Sequence, residues 1–190
     1  KSASGSPEIL SYDALVFAAG ASSLLPGNVP AVARNVTPFR TLDELEAIKN
    51  SLRQVRKKIA VSGGGPLGVE AADGLVRAGA ETTLIEKSPG ILSVFGRRLS
   101  SMARAELGRK AHIFTNSEVQ KFEMSGDQVN TLVLSDGTRV ETELVISAIG
   151  LRPRTDLLKK AGAKLSRDGA VLIDDQCRTS LPGIYACGVC

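Results

Sequence analysis

Residues 58–87 read KIAVSGGGPLGVEAADGLVRAGAETTLIEK, and the reading of this stretch decides the fold. Ile59-Ala60-Val61 is a short apolar run with the length and β-branching of a buried strand. Gly63-Gly64-Gly65-Pro66-Leu67-Gly68 follows and satisfies G-x-G-x-x-G. Small and apolar residues at Gly68, Ala71, Ala72, Leu75 and Val76 then mark a helix, and Thr82–Ile85 marks a second strand ending at Glu86. Strand, glycine turn, helix, strand and terminal acid make one βαβ unit. In such a unit the first glycine permits the tight turn, the second leaves room for a pyrophosphate, and the third lets the helix pack closely on the sheet. Those places fall to Gly63, Gly65 and Gly68, while Pro66 suits a first helical turn where its missing N–H costs nothing. The free N–H groups and the positive helix end then face an anion. Glu86 stands close to the spacing of about 20 residues expected for an acid that accepts from a ribose 2′-OH. A carboxylate there repels a 2′-phosphate, which favours NAD(H) over NADP(H), and Lys87 beside it weakens the preference without reversing it.

The rest of the chain extends this unit on both sides. Ala14–Ala19 reads as a buried strand ending at Gly20, and ASSLLPGNVP (21–30) as loop. Thr41-Leu42-Asp43-Glu44 is a capping box, and Leu45, Ile48, Leu52 and Val55 form one helix face behind it. After Glu86 the segment SPGILSVFG is loop-like. A helix is expected over Arg97–Gly108 with Leu99, Met102, Ala103 and Leu107 inward, and a third parallel strand over Ala111–Thr115. From Glu118 to Val140 alternating runs joined by Ser125-Gly126-Asp127 and Asp136-Gly137 read as a three-stranded meander. Leu144–Ile149 is a further apolar strand ending at Gly150, Arg154–Leu165 holds a short helix, and Gly169–Asp174 and Gly183–Cys187 read as two more strands. The fold class is therefore α/β, a Rossmann-like parallel sheet with a β-meander and additional α/β segments.

Composition excludes several classes. At 43% hydrophobic and 23% charged, the chain is neither disordered nor fibrous, and no apolar run approaches a membrane span. The net charge of +4 is thinly spread. Its densest cluster, Arg53-Gln54-Val55-Arg56-Lys57-Lys58, lacks interleaved aromatics and reads as a solvated connection rather than a nucleic-acid patch. Three cysteines without a secretory signal point to a reducing, cytoplasmic setting. The chain starts at Lys1, with Lys1–Pro7 linker-like, and stops at Cys190 just after a strand-like run, as a piece of a longer polypeptide would.

Four stretches in order resemble the FAD-dependent pyridine nucleotide–disulfide oxidoreductases. They are YDALVFAAGA (12–21), GGGPLGVE (63–70) through Glu86, LVISAIGLRPRTDLL (144–158) and DGAVLIDDQCRTSLPGIYACGVC (168–190). Within the family the look is closest to the branch of NADH oxidases, coenzyme A disulfide reductases, rubredoxin or ferredoxin reductases and nitrite reductases. The resemblance implies an NAD(H)-binding domain over 41–149 inserted between partial FAD-domain segments at 1–40 and 150–190. It implies NADH as hydride donor, FAD in the full-length protein, and a disulfide, oxygen or a redox protein as acceptor. It implies a homodimer for that protein, with no nucleic acid and no membrane as partner. It adds Gly20, Gly150 and Gly188 to the cofactor-binding candidates Gly63, Gly65, Pro66, Leu67, Gly68, Glu70, Glu86 and Lys87, with Glu70 either pointing toward the nicotinamide–flavin junction or simply exposed.

Two positions depart from the family pattern. Its last motif usually reads Ala-x-Gly-Asp, the Asp bonding the flavin's ribityl chain, whereas this chain has Ala186-Cys187-Gly188-Val189. Pro66 stands where many relatives carry an aromatic residue. Outside the Cys187/Cys190 pair no residue is a candidate nucleophile, general base or metal ligand. Lone His112 lacks a catalytic partner, and Arg152 and Arg154 could approach a cofactor or be structural. Two rival readings stay open: a non-catalytic dinucleotide-binding or regulatory module with a decayed flavin site, and thiol or metal chemistry at the Cys187/Cys190 C-x-x-C.

Overall fold

The computed structural model describes residues 9–52 and 58–190. The basic cluster at 53–57, the predicted helix-face residue Val55 and the linker-like residues 1–7 lie outside the described residues. In chain order the elements are β1 (Leu15–Phe17), β2 (Ala21–Ser23), β3 (Val36–Pro38), α1 (Leu42–Leu52), β4 (Lys58–Ser62), α2 (Pro66–Arg77) and β5 (Glu81–Ile85). A 3₁₀ turn (Ser93–Phe95) leads to α3 (Arg97–Leu107) and β6 (His112–Phe114). Then come β7 (Val119–Ser125), β8 (Gln128–Leu134), β9 (Arg139–Glu141), β10 (Leu144–Ser147), β11 (Leu151–Pro153), α4 (Asp156–Lys160) and β12 (Ile184–Ala186).

The chain forms two compact units, Ser23–Gly150 and the described residues up to Ser22 together with Leu151–Cys190. The larger unit begins ahead of the domain start expected at residue 41, because β3 pairs with β10 and so joins the main sheet. That sheet has five strands in the order β3-β10-β4-β5-β6, all parallel. Both faces are covered, as a parallel sheet requires. Ile59, Val61, Leu84, Leu144 and Ile146 pack with Ala71, Ala72 and Leu75 of α2. The alternate residues Ala60, Ile85 and Val145 pack under Val119, Phe122, Leu132 and Leu134 of the antiparallel meander β7-β8-β9. The strict alternation is the period of two along a strand. At roughly 1.5–3 kcal/mol for each large apolar side chain removed from water, these two layers dominate the unit's stability.

Local signals set the edges. Glu44 Oε2 accepts from the backbone N–H of Thr41 at 2.9 Å, and Thr41 Oγ1 accepts from the N–H of Glu44 at 3.3 Å, so the capping box forms. Asn35, absent from the sequence reading, is buried and stitches three segments. Its side chain donates to the carbonyls of Val129 and Glu143 and accepts from the Val129 N–H, while its own carbonyl accepts from Val145 N–H.

Several expectations need correction. Leu99 and Met102, expected inward on the 97–108 helix, are 52% and 60% exposed; α3 buries only Leu107, with Ala103 partly covered. Gly169–Asp174 forms no strand, only an isolated bridge between Leu165 and Val171. The segment 21–30 is not all loop, since β2 pairs with β11. In the smaller unit β1 pairs with β12 in parallel, and Phe17, Leu158, Val171, Ala186 and Cys190 form its small core.

Candidate functional site

The site lies where β4, β5 and β10 end at one level. Ser62 is in register with Ile85 on one side and Ser147 on the other. Because β5 and β10 leave β4 in opposite directions, this is the switch point of strand order, the position where open α/β sheets bind ligands. Gly63, Glu86 and Ala148 are the next residues along the three strands.

The three motif glycines meet three different environments. Gly63 has φ +108°, and a Cβ there would lie 2.4 Å from the Ala148 carbonyl oxygen. Gly68 is buried in the first turn of α2, and its Cβ would lie 1.8 Å from the Gly63 carbonyl oxygen. The backbone itself therefore dictates glycine at both. Gly65 is the opposite case: its φ of −70° and ψ of −179° suit any residue, and a Cβ would meet nothing within 4 Å. Protein packing gives no reason for glycine at Gly65. It is the N-cap of α2, with Pro66 in the first turn and Pro66 and Leu67 exposed. Helix geometry leaves the first-turn N–H groups of Leu67 and Gly68 without intrahelical partners.

Glu86 is tied into the loop. Its Oε2 accepts from the Gly64 N–H at 2.5 Å, and its Oε1 accepts from the Ser88 N–H at 2.6 Å. Charge-assisted bonds to backbone donors are about twice as strong as neutral ones, so they hold the half-buried carboxylate in place. The Gly64 carbonyl accepts from Leu92 N–H, and a Cβ at Gly64 would press 2.9 Å from Ile91 Cγ2. Lys87 points elsewhere: its Nζ lies 3.1 and 3.0 Å from the two carboxylate oxygens of Glu118. Gly64, Ser88, Ile91, Leu92, Glu118 and Ala148 were all missed by sequence reasoning. Spacing rules carry no signal for backbone donors or for neighbours brought in from other strands.

The structure thus brings Gly63, Gly65, Pro66, Leu67, Gly68, Glu86 and Lys87 together at one end of the sheet, with Glu70 exposed farther along α2. Gly150 follows β10 in the same unit, at φ +125°, and its carbonyl accepts from the Leu24 N–H. Gly20 and Gly188 belong to the smaller unit, beyond the ends of β1 and β12, at φ +67° and +83°. Arg154 is also there, its Nε donating to Ser22 Oγ at 2.9 Å. Cys187 is exposed, whereas the Cys190 thiol is buried and donates to the carbonyls of Cys187 and Phe17. Among the described residues no three His, Cys, Asp or Glu side chains gather as a metal-holding group, and no helix is long and apolar enough to cross a membrane.

The family model of the pyridine nucleotide-disulphide oxidoreductases matches residues 1–190. The chain is 32% identical over 185 residues to the nitrite reductase (NADH) large subunit of Escherichia coli (strain K12), covering 94% of this chain and 21% of that protein. It is 36% identical over 188 residues to the putidaredoxin reductase of Pseudomonas putida, covering 95% of this chain and 44% of that one. The solved structure of a water-forming NADH oxidase from Lactobacillus brevis, bound to NADH, superposes with a TM-score of 0.79 at 26% identity, over 93% of this chain and 39% of that one. The chain therefore spans less than half the length of these relatives. It belongs to the pyridine nucleotide-disulphide oxidoreductase family.

Proposed function

We propose that Ser23–Gly150 binds NAD(H) and that the chain is the NAD(H)-binding portion of an FAD-dependent oxidoreductase. The observation that carries this reading is Gly65, a glycine required by neither backbone angles nor neighbouring atoms, at the mouth of a loop whose other glycines are sterically dictated. A pyrophosphate lying against the N–H groups of α2's first turn supplies the missing reason. Glu86 would accept from the adenosine ribose, and the fixed loop would orient the nicotinamide end. Bound NADH would supply a hydride; the chain's residues bind and place it rather than perform chemistry. The names of the relatives, NADH-dependent nitrite reductase, putidaredoxin reductase and NADH oxidase, support a flavoenzyme passing electrons to an acceptor of its own. We take its setting to be cytoplasmic and the whole protein to be a homodimer.

Val189 is 56% exposed after Gly188, and its side chain offers no hydrogen bond to a flavin's ribityl chain, so no step is assigned to flavin there. The same valine favours the second reading, a dinucleotide-binding module without flavin chemistry of its own.

Titration calorimetry of the chain with NADH, NADPH and FAD tests the proposal. NADH should bind more tightly than NADPH, and Glu86→Ala should narrow that difference. Glu86→Gln, which keeps an acceptor for one of the two backbone donors, should keep more of the NADH affinity than Glu86→Ala. Failure of NADH to bind would reject the function.

A further inference from the structure

Beside the ribose acid the structure places a lysine whose charge is already engaged. Two backbone bonds extend the pairing past β5 and β6: Asn116 N–H donates to the Ser88 carbonyl and Ser117 N–H to the Glu86 carbonyl. Asn116 turns the chain with φ +53°, a conformation that Asn tolerates better than most residues. Glu118 comes next, and its backbone is fixed from the other side by the meander. Ser135 N–H donates to the Glu118 carbonyl, and Glu118 N–H donates to Ser135 Oγ. The Glu118 carboxylate is thereby presented to the Lys87 ammonium, with both oxygens within 3.1 Å of Nζ. Lys87 Nζ has no other ion-pair partner among the described residues.

We infer that Glu118 is a selectivity residue acting through Lys87: it draws the lysine away from the ribose position and so keeps the site from accepting a 2′-phosphate. This rests on the NAD(H) reading above and goes beyond it, since that reading assigns selectivity to Glu86 alone. The charges run Glu86 negative, Lys87 positive, Glu118 negative, a net negative group at the place where NADPH carries an extra phosphate. Without Glu118 the lysine loses its ion-pair partner. The lysine stem, flexible over four carbons, then lets the ammonium swing toward Glu86 and a bound 2′-phosphate. Glu118 is a positioning residue; it touches neither the glycine loop nor the ribose.

The pair is exposed, 75% for Lys87 and 56% for Glu118, so the effect is moderate and screened by salt. The test is calorimetric titration of NADH and NADPH into the wild-type chain, Glu118→Gln, Lys87→Met and the double variant, each at low and high salt. Glu118→Gln should reduce the NADPH-to-NADH ratio of dissociation constants by about three- to five-fold at low salt. The change should shrink toward none at 0.5 M salt, where the screening length is only a few ångströms. In the Lys87→Met background the same substitution should change the ratio by less than about two-fold, the non-additivity expected of coupled residues. An unchanged ratio in Glu118→Gln, or an equal change with and without the lysine, would overturn this inference while leaving NAD(H) binding intact. A wild-type chain that binds neither nucleotide would overturn both.

Discussion

The two units each end parallel strands in a glycine turn, but on different foundations. In the larger unit Gly63 leaves a strand that is buried from Ile59 to Ser62 and hydrogen-bonded on both sides, by β10 and β5. In the smaller, Gly188 leaves the three-residue strand β12, paired in parallel with β1 and on its other side joined only by a single bridge from Arg178 to Tyr185, with Val16, Leu172 and Ile173 exposed. The first turn is therefore locked. Its glycines abut backbone atoms of α2 and the segment after β10, and its amides are held by Glu86 and Ile85. The second turn is held by backbone and thiol bonds instead, Cys187 N–H donating to the Phe17 carbonyl and the Cys190 thiol to the Cys187 carbonyl, and a Cβ at Gly188 would meet nothing within 4 Å. A binding loop that must present N–H groups to a ligand at fixed positions needs the first arrangement, because preorganised donors bind without a further ordering cost.

The contrast breaks most sharply at Gly68. A methyl group there would sit 1.8 Å from the Gly63 oxygen, so Gly68→Ala should cost about 3 kcal/mol or more in urea unfolding of the larger unit. The control lies on the same helix: Gly74 has nothing within 4 Å, and Gly74→Ala should stabilise by about 1 kcal/mol, the ordinary helix preference. If the two substitutions behave alike, the close packing of α2 on the loop is wrong.

Hydrogen exchange sharpens the comparison between units. Amides of β4, β5 and β10 should exchange on the order of a hundredfold more slowly than those of β1 and β12, since local opening is cheap where few apolar contacts are lost. Equal protection would mean that the units unfold together.

Gly65 separates folding from binding. Gly65→Val should leave the unfolding free energy within about 0.5 kcal/mol, because its backbone angles and surroundings accept a side chain. NADH affinity should fall by about tenfold or more as the branched side chain fills the pyrophosphate position.

The smallest effect is that of pH. Hydrogen bonds from Arg139, Lys58 and Arg178 hold the carboxyls of Glu123, Glu141 and Asp174 below their ordinary values. Each depressed group adds stability that is present above its unfolded pKa and lost as pH falls through the folded one. The Lys58 ammonium, raised by Glu141, adds stability below its ordinary 10.5 that is lost as pH rises through the higher folded value. Thermal midpoints should be flat between about pH 5 and 10 and decline outside that window, only slightly, since all these pairs are exposed. They occur in both units, so this decline should not distinguish them.

Much of the larger unit was legible because its elements obey periodic rules. β4, β5 and β10 are apolar runs, α2 carries small residues on one face, and the Thr41–Glu44 box and the Asp136-Gly137 turn are local chemistry. β2, β3 and β11, three residues each, are too short to show a period of two. They form because tertiary pairing supplies partners. Leu99 and Met102 have helical spacing, but spacing alone does not say which side meets the core, and α3 turns Leu107 and Ala103 inward instead. The glycine pattern and Glu86 were legible at the site. The bonds from Glu86 to Gly64 and Ser88 were not, since they depend on two strand ends reaching one level in space. Glu118 was hidden for the same reason.

The most direct test of the account is amide NMR of the chain titrated with NADH. It predicts large, saturable shifts at Gly64, Gly65, Leu67, Gly68 and Ser88, with the amides of Gly20 and Gly188 unmoved. Shifts centred on Gly188 and its neighbours, with the 63–68 loop unchanged, would contradict it.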